Sequence, residues 1–142
     1  MDIQISTHDH ALIPSYSTDG AAGADLRAAE DVIIPAGERR LVNTGIKVII
    51  PDGYVGLIHP RSGLALKAGI TVLNTPGTID SDYRGAIGVI LYNSSDKDYA
   101  VVVGDRIAQI VFQQYCKVNF VRSDVSEDTD RGSGGFGSTG VE

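Results

Sequence analysis

The chain is 142 residues long with a formal net charge of −6, a sequence pI near 4.9 and a mean hydropathy of +0.01. That length holds one domain-sized core and needs no second, while the acidic balance argues against nucleic acid as partner, because a duplex calls for a basic face. No apolar run approaches a membrane span, and the single cysteine, Cys116, can form no internal disulfide; its apolar neighbours predict a small buried hydrophobe.

The first residues, Met1-Asp-Ile-Gln-Ile5, lack a basic segment followed by an apolar stretch, so no secretory leader is predicted and a cytoplasmic setting is expected, with organelle and nucleus left open. Ile3 and Ile5 alternate with polar residues as in a half-buried strand. From His8 to Gly20 the composition is that of a loop, anchored by Ala11-Leu-Ile13. His8, His10 and His59 lack the paired spacing of a zinc site, which leaves oxygen donors for any metal. Ala21 to Ala29 favours helix by propensity, but the run is short and holds Gly23, so a strand is predicted. Asp31 to Pro35 reads as strand, Ala36-Gly37 as turn, and Arg39 to Ile50 as a long β-branched run broken at Gly45. Pro51-Asp-Gly53 then predicts a reversal, with Tyr54 to Ile58 as the hairpin partner of the preceding strand.

His59 to Lys67 is predicted to form about two helical turns. Next comes the stretch that reads as a chemistry-bearing hairpin. Pro76-Gly77 marks its turn, Val72, Leu73 and Ile79 are its paired arms, and Asn74, Asp80 and Tyr83 present polar groups along it. Gly85 to Tyr92 and Tyr99 to Val103 follow as strands. Arg106 to Phe112 is apolar on both faces except at Gln109, which predicts a strand covered on both sides. From Arg122 the chain turns acidic and then glycine-rich, too polar to fold alone. Short strands with frequent turns and no long amphipathic helix make the fold class all-β, a sandwich or barrel, divided into a β-domain at 1–122 and a flexible arm at 123–142.

No phosphate loop and no dinucleotide fingerprint is present. Arg61-Ser62-Gly63, at a helix start, offers a guanidinium, a hydroxyl and open N–H groups to an anion. Arg131, among glycines with Ser133, Ser138 and Thr139, offers a second such set. Alone, the first fits an ordinary helix start and the second a linker.

Together the elements say more. Ala22-Gly-Ala-Asp-Leu26, Pro60-Arg-Ser-Gly-Leu-Ala65, Gly77-Thr-Ile-Asp-Ser-Asp-Tyr-Arg-Gly85, Gly104-Asp-Arg-Ile-Ala-Gln109 and Arg131-Gly-Ser-Gly-Gly-Phe-Gly-Ser-Thr-Gly140 occur in that order. In this the chain closely resembles the homotrimeric deoxyuridine triphosphate nucleotidohydrolases, from about Ile13 to Gly140. The resemblance implies a jelly-roll-like β-barrel with one short helix after Pro60, and three active sites between subunits, each closed by an arm crossing from a neighbour. It implies hydrolysis of dUTP to dUMP and pyrophosphate by water attack on the α-phosphate, lowering dUTP and supplying dUMP for thymidylate synthesis. By the family's pattern Asp80 is catalytic and orients the water. Asn74 and Gly77 in the hairpin read uracil, Tyr83 packs on the sugar, and Arg61, Ser62, Gly63, Gln109 and Arg131 hold the phosphates. Phe136, Gly137 and Ser138 belong to the closing arm, with Phe136 stacking on the base. Mg2+ across the triphosphate, reached by Asp25 through water, is the implied cofactor. Ala22 and Ala86 stand where many relatives carry Ser and Glu. Two other readings stay open: a deoxycytidine triphosphate deaminase, which shares the barrel and the Arg-Ser element, and a nucleotide-sensing module without turnover.

Overall fold

Alternation of apolar and polar side chains dictates most of what forms. The computed structural model describes residues 1–136, and among these eleven strands and one α-helix follow one another. The strands are β1 (Gln4–Thr7), β2 (Ala24–Arg27), β3 (Val32–Ile34), β4 (Arg39–Asn43), β5 (Ile46–Ile49) and β6 (Tyr54–His59). After α1 (Ser62–Ala68) come β7 (Ile70–Val72), β8 (Gly77–Ile79), β9 (Gly88–Asn93), β10 (Tyr99–Val101) and β11 (Arg106–Gln114). They form four small antiparallel sheets: β1 with β5, β3 with β10, the three-stranded β4-β9-β7, and the four-stranded β2-β11-β6-β8. Chain neighbours mostly lie in different sheets, so the fold is all-β and jelly-roll-like, built by crossovers rather than by hairpins. No helix among the described residues is long and apolar enough to cross a membrane.

Inward residues from several sheets meet in one core. Ala24 and Leu26 of β2, Ala108 and Ile110 of β11, Ile58 of β6, Val42 of β4, and Val89 and Leu91 of β9 are all nearly inaccessible to solvent. Each fully buried branched side chain favours the folded state by about 1.5–3 kcal/mol relative to exposure. The buried polar side chains are satisfied. Asn93 donates to the carbonyls of Ile34 and Lys97 at 2.9 and 2.7 Å and accepts from the backbone N–H and hydroxyl of Ser95 at 3.0 and 2.7 Å, which holds the loop between β9 and β10. Thr44 donates to the Ile87 carbonyl at 2.6 Å.

The predicted helix is present. Arg61 caps it with extended backbone and accepts the first intrahelical bond, from the Ala65 N–H at 3.0 Å, and Gly69, at φ +67°, ends it. The left-handed conformation there is one that glycine adopts without a Cβ penalty. The Ala21 to Ala29 stretch is a strand at its centre, β2, as expected.

Four expectations change. The chain does reverse at Pro51 to Gly53, with the Tyr54 N–H on the Pro51 carbonyl at 3.1 Å, but β6 pairs with β11 and β8 while β5 pairs with β1. A turn signal specifies a change of direction, not which sheet the next strand joins. For the same reason Val72 and Ile79 are not partners: β7 pairs with β9 and β8 with β6, so residues 73–76 carry the chain from one sheet to another. Cys116 is exposed, because β11 ends at Gln114 and the backbone has left the sheet before the thiol. In the loop before β2, Leu12 alone is a buried anchor, on a single 3₁₀ turn, and Ala11 is exposed.

Candidate active site

The four-stranded sheet has an inner, apolar face and an outer one on which the polar residues are set in rows. Register places Asp25 of β2 opposite Gln109 of β11, and Gln109 opposite His59 of β6. Directly paired residues share a face, so these three side chains stand side by side. Val111 opposite Leu57, and Leu57 opposite Thr78 of β8, form the next row of the same face.

At the β2 edge the row meets the start of α1. A cleft of about 540 Å³ is lined here by Asp25, His59, Arg61, Ser62, Gly63, Gln109, Gly23 and Ser17, among others. The buried Asp25 carboxylate accepts from Arg61 Nε at 3.0 Å on one oxygen, and from Arg106 Nη1 at 3.1 Å and the Ser17 hydroxyl at 3.0 Å on the other. Burial pushes its pKa up, but the hydrogen bonds from Ser17 and Arg106 and the charges of Arg61 and Arg106 outweigh that, leaving it below the ordinary carboxylate range. Arg61 also donates from Nη1 to the Arg106 carbonyl at 3.1 Å. Two fixed donors orient the guanidinium and leave the rest of its fork for an anion. Gln109 donates from Nε2 to the Pro60 carbonyl at 3.0 Å. Its carboxamide oxygen fills the space that a Cβ at Gly23 would occupy.

This donor set fits an outer-sphere magnesium ion and not a protein-built metal cage. Among the described residues no group of three or more His, Cys, Asp or Glu could hold a metal. A carboxylate has about four acceptor positions, and the three donors on Asp25 leave one, on the oxygen facing Arg61, able to take a metal-bound water.

The residues of the β7–β8 connection and just past β8 lie at the opposite edge. Asn74 and Gly77 line a pocket of about 50 Å³ with Ile58, Val72 and Ile90. Gly77 is buried, and a Cβ there would stand in ordinary contact with Ile58 Cβ at 3.4 Å and Asn74 Nδ2 at 3.5 Å. Asp80, just past β8, is exposed in a second cleft, of about 900 Å³, with Asp52, Val55, Leu57, Thr78, Tyr115 and Lys117. Tyr83 is 42 % exposed, and its hydroxyl donates to the Ala86 carbonyl at 2.9 Å.

The structure therefore brings Asp25, Arg61, Ser62, Gly63 and Gln109 together, sets Asn74 and Gly77 in one small pocket and Asp80 in a separate cleft with Tyr83 tied to it by a turn bond, and keeps these apart from the first group. The β2 and β8 edges are three strand spacings apart, roughly 14 Å at the usual interstrand distance. Arg131 is exposed, in a turn where its Nε donates to the Gly134 carbonyl at 2.9 Å, and Phe136 is fully exposed. Gly137 and Ser138 lie outside the described residues. Ser17 and His59 line the first cleft and Arg106 holds Asp25 and Arg61 beside it; none of the three was expected there. Arg106 stood inside a quoted motif and His59 beside another, so only their roles were missed; nothing local marks Ser17.

The dUTPase family model matches residues 9–140. Proteins named deoxyuridine 5'-triphosphate nucleotidohydrolase from Helicobacter pylori and Roseobacter denitrificans are both 54 % identical, the first over 94 % of this chain and 92 % of the relative, the second over 90 % and 86 %. Among solved structures, a dUTPase mutant of Staphylococcus bacteriophage 80alpha with dUpNHpp superposes with a TM-score of 0.89 at 27 % identity over 99 % of both chains. The dUTPase of Streptococcus mutans gives 0.78 at 31 % identity over 84 % of this chain and 100 % of that one. The matched span runs through both clefts and the β7–β8 connection, and by that span and those identities this chain belongs to the dUTPase family.

Proposed function

We propose that this chain hydrolyses dUTP to dUMP and pyrophosphate in active sites assembled between the subunits of a homotrimer. The observation that supports the subunit arrangement is the separation of the two residue groups to opposite edges of one sheet, with apolar Val111 and Leu57 between them: a triphosphate held by Arg61 would take its base to the β7–β8 connection of another copy. The partly buried Val111 and Leu57 between the edges supply the apolar surface on which copies would meet.

In this reading uracil enters the Asn74 and Gly77 pocket and bonds to backbone and carboxamide, where cytosine would mismatch at its 4-position. Asp80 holds the attacking water in line with the α-phosphorus and accepts its proton. The new bond forms from that water to phosphorus, and the bond from the α-phosphorus to the bridging oxygen breaks. Arg61, Ser62, Gly63 and Gln109 bind the β- and γ-phosphates, so the leaving group is clamped before the attack. Asp25 would hold magnesium through a water, and the ion would there supply positive charge to offset the negative charge growing on the departing pyrophosphate. The 123–142 arm closes the site, Arg131 on the phosphates and Phe136 on the base.

Pyrophosphate release across a panel of deoxynucleotides, with and without magnesium, tests the activity: dUTP alone turning over rapidly is the expected outcome. Ammonia release from deoxycytidine triphosphate would establish the deaminase instead, and tight binding with no product a sensing module. Asp80→Asn should keep nucleotide binding while turnover falls on the order of 10²–10⁴-fold; near-normal turnover would refute the role of Asp80.

A further inference from the structure

Tyr83 is a large ring on the surface, and nothing in the core holds it. Nearly half its area is open to solvent, so tertiary packing cannot fix an aromatic face against a sugar. What fixes it is local. The Tyr83 N–H closes a turn on the Asp80 carbonyl at 3.2 Å, and Arg84 braces the same turn, donating to the Ser81 and Tyr83 carbonyls at 2.6 and 2.9 Å. The phenol hydroxyl then reaches forward to the Ala86 carbonyl at 2.9 Å, so the ring lies back along its own chain. It can do so because Gly85 is beneath it. A Cβ built on Gly85 would overlap the phenol oxygen and the ring carbons next to it. Gly85 has no left-handed φ, so conformational freedom is not what this position uses; it uses the missing side chain.

We propose that Gly85 is a positioning residue for sugar discrimination: its bare Cα is the seat of the Tyr83 ring, and the Ala86 carbonyl is the tether that holds the ring in it. The proposal rests on the assignment of Tyr83 to the sugar. A methyl group at position 85 lifts the phenol off the Ala86 carbonyl and frees the ring, and a freed ring opposes a 2′-hydroxyl less than a seated one.

The experiment compares kcat/KM for dUTP and for uridine triphosphate in the full-length protein, Tyr83→Ala, Gly85→Ala and the double variant, each checked for folding by circular dichroism. Gly85→Ala should lower the dUTP preference on the order of tenfold, and in the Tyr83→Ala background it should change the preference no further. A merely structural role for Gly85 would lower both substrates alike. If Tyr83→Ala relaxes the preference and Gly85→Ala leaves the ratio untouched, the seat is refuted while the assignment of Tyr83 stands. If Tyr83→Ala itself leaves the ratio unchanged, the assignment falls, and the seat with it. Should Gly85→Ala not fold, Tyr83→Phe takes its place. It keeps the ring and loses the tether, so its preference should fall, and an unchanged ratio overturns the proposal.

Discussion

Asp25 shows how one buried carboxylate can organise a cleft. Its oxygens take two guanidinium groups and a hydroxyl, and their net effect is to depress its pKa against the pull of burial. In the unfolded chain the group titrates near ~3.9. Because the folded value lies lower, the stabilisation is complete above the unfolded value and is lost as pH falls through the folded one. Thermal melts from pH 6 down to pH 2.5 should show a decline in that acid window that Asp25→Asn makes shallower. At neutral pH the same substitution should cost about 1–3 kcal/mol, less than the loss from a fully buried pair, because Arg106 is well exposed. An unchanged melting temperature at pH 7 would contradict this. Gln109 and Gly23 repeat the lesson on a smaller scale, since the carboxamide sits where only a residue without a Cβ leaves room.

At the scale of elements, α1 matters for where it begins and how it ends. Its start sets Arg61, Ser62 and Gly63 in the cleft, and its end depends on Gly69, whose left-handed backbone turns the chain into β7. A Cβ at Gly69 would also come within 2.9 Å of the Ser94 hydroxyl and 3.2 Å of the Ser95 nitrogen. Gly69→Ala should therefore destabilise the fold by about 1–2 kcal/mol. Denaturant unfolding measures that loss, and kcat for dUTP should stay within about twofold because the substitution lies at the far end of the helix from the phosphates. A large loss of kcat without loss of stability would mean that α1 does more than carry the cleft residues. Strand β11 was legible as an element from its apolar run, but its two faces do different things: Ala108 and Ile110 enter the core, while Gln109 and Val111 face the cleft.

For the whole molecule, the expectation is that a chain ending at Asp130 folds and forms trimers, since what it lacks is glycine-rich and polar and cannot supply much core. Its turnover should nonetheless fall on the order of 10²-fold or more, through loss of the Arg131 clamp and the Phe136 lid. Sedimentation and pyrophosphate release check the two halves of that statement. Mixing this truncated chain with full-length Asp80→Asn chains should restore some activity, because a mixed trimer can combine an intact Asp80 with a borrowed arm. Hetero-trimers confirmed by mass and no more active than the separate variants would show that the arm does not cross.

Local physical chemistry was enough to read most of the strands, the short helix and the reversal at Pro51 to Gly53 from the chain alone, because alternation, capping and turn residues act over a few positions; at Ala21 to Ala29, where propensity favours helix, sheet pairing with β11 decides for strand. Ordered motifs were enough to point to the family. Pairing was a different matter. That β5 joins β1 and β6 joins β11, and that β7 and β8 lie in different sheets, is settled by which arrangement buries all the apolar faces at once, a condition on the whole chain that no window contains. The same condition exposed Cys116, drew Ser17 and Arg106 onto Asp25, and set Asp80 and Gly77 at the opposite edge of one sheet from Arg61 and Asp25, because side chains far apart in sequence meet only where the completed fold brings their backbones together.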